Sequence, residues 1–191
     1  MELIFASHNE NKVQEIRKML PESIQLLSLN DIDFHDEIEE TGSTLEENAR
    51  IKAETIFKLA GKPVFADDSG LFVEALGGAP GVYSARYAGT GNTKDNIIKL
   101  LAELGDSRNR SAYFMTIFCM INGNGIFYLD GKAEGKVIEQ PRGMEGFGYD
   151  PVFVPDGFTE TFAEMAPEKK NQISHRSKAV HKLINFVGNL R

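Results

Sequence analysis

The sequence predicts an α/β protein: a long mixed β-sheet with helices packed on it. Two observations predict it. Short apolar runs alternate with segments of helical periodicity through the first half. The second half is richer in alternating, β-like runs and holds a strong hairpin signal, Asn122-Gly123-Asn124-Gly125. Alternation followed by paired strands is the pattern of a sheet covered by helices.

Residues 3–6 read as a buried strand. Residues 11–20 follow as a helix, with Val13, Ile16, Met19 and Leu20 on one face. Residues 24–29 read as a second strand and 31–42 as an acidic loop. Thr44 and Glu47 have the spacing of a capping box, opening a helix with Leu45, Ala49, Ile56 and Leu59 at apolar positions. Residues 63–66 form a short strand, and Asp67-Asp68-Ser69-Gly70 reads as the turn that ends it. A Gly-rich loop over 77–91 and an amphipathic helix over 95–104 come next. Residues 112–121, 126–129, 131–138 and 152–154 read as strands. His175 and Arg176 open a last helix behind Ser174 as a cap, with Ala179, Val180, Leu183, Ile184 and Val187 facing the core.

A chain of 191 residues fits one domain over 1–191. No apolar run approaches the roughly 20 residues of a membrane span, and residues 1–7 lack the basic start of a signal peptide. The one cysteine, Cys119, lies in an apolar segment, which fits a reducing, cytoplasmic setting. The net charge of −7 gives no general attraction to a nucleic-acid polymer. A small polyanion is still open to it, if local lysines and a metal outweigh the global charge.

Several segments carry candidate chemistry. Ser7-His8-Asn9-Glu10-Asn11-Lys12 lies between a strand and a helix, where backbone N–H groups and a lysine make a local anion site. An ordinary polar loop with Ser7 or Asn9 as a cap explains it equally well. Glu39-Glu40-Thr41-Gly42 places paired carboxylates before a helix, a pattern open to Mg²⁺ or to plain solvation. Lys52 lies one turn after Asn48, so the two share a helix face. Asp67 and Asp68 follow an apolar strand, where unpaired acids are costly, and strand ends of open α/β sheets bind ligands. Successive strand side chains point to opposite faces, which separates these two acids. In Gly146-Phe147-Gly148-Tyr149-Asp150-Pro151 the glycines admit close backbone approach, and Phe147 offers a ring for a base, or simply a buried aromatic. Lys169-Lys170 and Ser174-His175-Arg176 add donors at a helix start.

Together these motifs closely resemble the inosine triphosphate pyrophosphatase family. The matching blocks are Ser7-x-Asn9-x-x-Lys12, Glu39-Glu40-Thr41-Gly42, Glu47-Asn48-Ala49, Ala66-Asp67-Asp68-Ser69-Gly70-Leu71, the run from Leu76 to Tyr87, Gly146-Phe147-Gly148-Tyr149-Asp150-Pro151 and Ile173-Ser174-His175-Arg176. His8 departs from the pattern, standing where members often carry a small residue, and Met144-Glu145 replace a smaller pair.

The resemblance implies two lobes with the active-site cleft between them. It also implies hydrolysis of ITP, dITP and XTP to the monophosphate and pyrophosphate, with Mg²⁺ as cofactor. It casts Asp68 as the catalytic residue and metal ligand, Glu40 as a second metal carboxylate, and Asp67 as a support. Ser7, His8, Asn9, Glu10, Asn11, Lys12, Lys52, Ser69 and Lys170 match substrate-binding positions near the phosphates. Phe147, Gly148, Tyr149, Asp150, His175 and Arg176 match the nucleoside pocket, with Arg176 offering donors to the C6 oxo group. A homodimer is expected, with no nucleic-acid or membrane partner. The alternative readings are a pyrophosphatase for pyrimidine or modified nucleotides, and a nucleotide sensor without turnover.

Overall fold

The computed structural model describes residues 1–189. The elements are β1 (Glu2–Phe5), α1 (Glu10–Met19), β2 (Gln25–Leu27), α2 (Leu45–Ala60), β3 (Val64–Val73), α3 (Thr93–Leu104), β4 (Ser111–Asn122), β5 (Gly125–Val137), β6 (Phe153–Pro155), α4 (Pro167–Ile173) and α5 (His175–Gly188). The strands form one six-stranded sheet in the order β2-β1-β3-β4-β5-β6. β1 is parallel to β2 and to β3, while β5 and β6 are antiparallel, so the sheet is mixed as expected. No helix among the described residues is long and apolar enough to cross a membrane.

The chain divides into two compact units. The first comprises Met1–Asp68, Thr116–Gly131 and Arg176 onward; the second comprises Ser69–Met115 and Lys132–His175. The first unit has two apolar clusters, one centred on Leu3, Phe5, Ile16, Phe65 and Phe118, the other on Ile4, Ala49, Ile56, Val64 and Cys119. Phe5 stacks on Phe65 across the β1–β3 pair, with ring centroids 4.7 Å apart. The second unit packs Leu71, Leu100, Phe114, Phe153 and Phe162 together. Cys119 is buried, and burial pushes its thiol up to about 11, which leaves it unreactive.

The helix starts follow from local chemistry. The Asn9 side chain caps α1 by accepting the Lys12 N–H, and Thr44 caps α2 by accepting the Glu47 N–H. The Glu47 carboxylate turns back to Ser43, taking its N–H at 2.6 Å and its hydroxyl at 2.8 Å. On α2 the buried stripe is Leu45, Ala49, Ala53 and Ile56, whereas Leu59, expected to face the core, is exposed. In the last turn Phe57 and Ala60, not Leu59, pack on the core cluster.

The largest correction concerns Asp67-Asp68-Ser69-Gly70. It is not a turn but the middle of the ten-residue strand β3. Asp and Gly are strand-breaking in isolation, but here β3 runs on beside β4, beyond the point where its pairing with β1 stops at Phe65. Residues 126–129 and 131–138 are likewise one strand, β5, whose burial alternates without a break. The loop over 77–91 contains a 3₁₀ helix, Gly81–Arg86. Helix α4, with Lys169 and Lys170 on it, was absent from the expected elements.

Candidate active site

β1 ends at Phe5, paired with Phe65, and its last sheet bond is Ala6 N–H to the Phe65 carbonyl. β3 continues beyond that point, so Asp67 and Asp68 lie past the carboxyl end of a parallel neighbour. This is the ligand-binding edge of open α/β sheets, reached here without the strand ending. Period-two alternation sends the two carboxylates to different neighbours, both supplied by helices.

Asp67 is buried and meets Lys12 from α1, whose Nζ donates to both carboxylate oxygens at 3.0 and 2.8 Å. Arg176 places Nη2 4.0 Å from the same carboxylate and donates through Nη1 to Glu15 at 2.6 Å. Burial alone would raise Asp67, but Lys12, then Arg176 and Lys52, outweigh it and hold the carboxyl well below the usual range. Lys12 itself is pulled down by burial and by its cationic neighbours Lys52 and Arg176, against the pull of Asp67.

Asp68 is also buried, but its setting is the reverse. Asn48 of α2 donates from Nδ2 to Asp68 Oδ2 at 3.0 Å. Its own Oδ1 accepts the Gly42 N–H at 2.8 Å, tying the acidic loop to the helix. Lys52, one turn on, pairs with Glu40 at 2.5 Å. Burial raises Asp68 to about 6, with Glu40 adding to the rise, while Lys52, Lys12 and Asn48 oppose it. Asp68 is therefore a carboxyl that exchanges its proton near neutral pH, beside a carboxylate that is always ionised.

Asp68 and Glu40 are hard oxygen donors whose charges repel, and Lys52 now balances them. That donor chemistry fits Mg²⁺, which takes one or two carboxylates, several waters and substrate phosphate oxygens. Among the described residues no group of three His, Cys, Asp or Glu gathers to cage a metal ion. A metal here would therefore share its shell with water and substrate.

The other residues expected in the phosphate segment have local tasks. Ser7 Oγ accepts the Asn9 N–H at 3.2 Å. The His8 ring and the Glu10 carboxylate both meet Asn30, and Asn11 is exposed on α1.

The second unit holds the aromatic segment. Gly146 has φ of +74°, and a Cβ there would lie 2.1 Å from Asp150 Oδ2, so glycine is required. Asp150 accepts the Phe147 N–H and a Lys170 Nζ hydrogen, each at 2.8 Å, which ties the loop to α4. Lys170 also stands 5.2 Å from the Phe147 ring centroid. The Tyr149 hydroxyl donates to the Ser84 carbonyl at 2.8 Å, and the Ser84 hydroxyl accepts the Leu71 N–H just beyond Ser69 and Gly70. His175 stacks on Phe114 at 4.7 Å.

The expected site residues thus sort by unit. Lys12, Lys52, Glu40 and Asp68 gather in the first, and Ser69, Phe147, Gly148, Tyr149, Asp150, Lys170 and His175 belong to the second. Lys170, expected at the phosphates, pairs with Asp150 beside Phe147. Arg176, expected at the base, pairs with Glu15 and faces Asp67. The sequence alone assigns no role to Asn48 or Glu15. For Asn48 the signal was present in its shared helix face with Lys52; for Glu15 it was only its position one turn after Lys12.

Such a fold and site define an α/β protein with acids past a sheet edge flanked by helix-borne lysines. The chain belongs to the Ham1 family, whose model matches residues 3–186. It is 50% identical over 190 residues to the dITP/XTP pyrophosphatase of Flavobacterium psychrophilum, covering 99% of this chain and 100% of that one. It is 51% identical over 187 residues to the protein of that name from Bacillus licheniformis, covering 95% of each. The Ham1 protein of Staphylococcus aureus superposes with a TM-score of 0.90 at 38% identity, covering 100% of both chains. A HAM1 protein from Coxiella burnetii also gives 0.90, at 40% identity and 99% coverage of both.

Proposed function

We propose that this protein hydrolyses non-standard purine nucleoside triphosphates, ITP, dITP and XTP, to the monophosphate and pyrophosphate. The observation that carries it is the opposed pair on β3, with Asp67 locked as an anion by Lys12 and Asp68 raised to about 6 beside Glu40 and Lys52. The dITP/XTP pyrophosphatases to which the chain is half identical support the substrate class.

Water attacks the α-phosphorus and pyrophosphate leaves. Asp68 accepts the proton of that water, a task suited to a group that titrates near the working pH. Asn48 fixes Oδ2 and with it the plane of the carboxylate. Lys12 and Lys52 bring positive charge to the triphosphate, so an acidic protein can hold a polyanion. Asp68 and Glu40 would hold Mg²⁺, which neutralises charge building on the leaving oxygens.

Phe147 gives the base a stacking face, worth roughly 1–3 kcal/mol. Discrimination follows from the purine edge: ITP and XTP present an acceptor at C6 where ATP presents a donor. Donors at the base, from Lys170 or from the backbone of residues 147–149, favour the oxo group. Arg176 acts first as a counter-charge to Asp67, because its guanidinium meets Glu15 and Asp67.

The protein acts as a homodimer on the cytoplasmic nucleotide pool, a reading supported by the family and tested by sedimentation. The test of the activity is pyrophosphate release from a nucleotide panel with and without Mg²⁺. Turnover of ITP and XTP well above ATP supports it, and preference for dTTP or UTP overturns the substrate class.

A further inference from the structure

His8 carries a side chain for which the proposed reaction has no use, and its contacts run to the acidic loop. Its ring stacks on Phe34, with centroids 6.1 Å apart and planes 14° off parallel. Nε2 lies 3.1 Å from the Asp36 carbonyl oxygen, and Nδ1 lies 3.4 Å from Asn30 Oδ1.

The Asn30 amide is oriented by its other end: Nδ2 donates to Glu10 Oε1 at 2.6 Å. Flipping it would set its oxygen against a carboxylate. His8 therefore faces an acceptor at each ring nitrogen. A neutral imidazole has one N–H and satisfies one of them, whereas the imidazolium has two and satisfies both. The charged residues at these contacts are Glu10 on α1, reached through Asn30, and Asp36 on the loop.

The loop so gripped leads directly to Glu40. It is fixed upstream by Asp31, which takes the Ser28 N–H and pairs with Arg17. Phe34 and Ile38 pack on the core cluster of α2 and β3. Downstream, Glu40 meets Lys52 and the Gly42 N–H meets Asn48. The His8 contact with Asp36 falls four residues before Glu40, between these anchors.

We propose that His8 is a positioning residue: its protonated ring bridges Asn30 and the Asp36 carbonyl, strapping the acidic loop so that Glu40 is held at the Asp68 site. The strap needs an N–H at each ring nitrogen. Its effect on metal binding rests on the role of Glu40 proposed above; the strap itself does not.

Two measurements test it on the full-length protein. Amide hydrogen exchange over residues 33–42, corrected for intrinsic rates, is compared at pH 5.5 and 8 in wild type, His8→Phe and His8→Gln. Phe keeps the stack but has no donors; Gln offers donors at any pH. At pH 5.5 protection in wild type exceeds that in His8→Phe about three- to tenfold, as expected for one hydrogen bond. His8→Phe shows the low value at both pH values, and His8→Gln is protected at both. In parallel, ¹⁵N ring spectra of wild type show His8 doubly protonated in the protected state. Half-saturating Mg²⁺ for pyrophosphate release then rises several-fold in His8→Phe and is restored in His8→Gln. Equal protection in wild type and His8→Phe at pH 5.5, or a singly protonated ring in the protected state, overturns the strap. Loss of loop protection with unchanged half-saturating Mg²⁺ overturns the link to Glu40. An absence of pyrophosphatase activity would leave the exchange and ring spectra to decide the strap by themselves.

Discussion

Asp67 and Asp68 are neighbours on β3, both buried, yet one carboxyl is held far below the ordinary carboxylate range and the other is raised to about 6. Their partners make the difference. Lys12 grips both oxygens of Asp67, whereas Asp68 has the neutral Asn48 amide and the opposing charges of Lys52 and Glu40 nearby. Pairs of acids whose surroundings drive them apart mark a division of labour, one fixed as structure and one kept for chemistry.

Asp68→Asn removes the proton acceptor and a metal oxygen while keeping side-chain shape. Pyrophosphate release from ITP falls by about 10²–10⁴-fold with an unchanged circular dichroism spectrum. Near-normal turnover would take Asp68 out of the catalytic role.

The same substitution stabilises the metal-free protein. The ordinary value of 3.8 becomes about 6 on folding, so the folded state binds the proton more readily. This group's contribution favours folding below about pH 4 and is lost as pH rises through about 6. Asn avoids that loss, gaining on the order of 3 kcal/mol at pH 8 and little at pH 4, as read by urea denaturation without Mg²⁺. Equal stability of the two proteins at pH 8 would show that Asp68 is not raised.

At subsaturating Mg²⁺, kcat/KM for ITP rises about tenfold per unit below pH 6 and levels off above it. Asn48 lowers Asp68 through its hydrogen bond, so Asn48→Ala moves this acid limb to higher pH. A limb left in place, with only the plateau reduced, would give Asn48 a purely structural part.

Lys12→Met leaves Asp67 buried without its principal partner and costs about 3–5 kcal/mol in denaturant unfolding. The double variant Lys12→Met with Asp67→Asn recovers much of that loss, because no buried charge is then stranded. Additive losses would contradict the pairing as the source of the cost.

Gly70→Ala tests why the motif ends in glycine. A Cβ there would lie 2.3 Å from the Gly81 carbonyl oxygen, which is backbone and cannot swing aside. The variant loses about 1–3 kcal/mol or more. A neutral effect on the melting temperature would show that β3 and the 3₁₀ helix Gly81–Arg86 part easily.

The elements legible in the sequence were those with local signals. Caps at Asn9 and Thr44, the hairpin at Asn122–Gly125 and the periodicity of α1 and α5 need no tertiary context. The acids of β3 read as a turn because Asp and Gly punctuate short segments, and only the neighbouring strand β4 shows that the strand continues. The membership of the site was visible through its motifs, but not its pairings. Lys12 reaches Asp67 across 55 residues, and Arg176 reaches Glu15 across 161. Nothing local in either helix announces which acid its base will meet. Helix α4 is short, and its two lysines hid it as a basic patch.

The most direct test of the Asp68-centred pyrophosphatase is product analysis with ITP in Mg²⁺, counting phosphate before and after adding inorganic pyrophosphatase. Phosphate that appears only after that addition, two per IMP formed, and that vanishes in Asp68→Asn, is the predicted result. Direct release of orthophosphate with IDP as product, or undiminished release in Asp68→Asn, would contradict it.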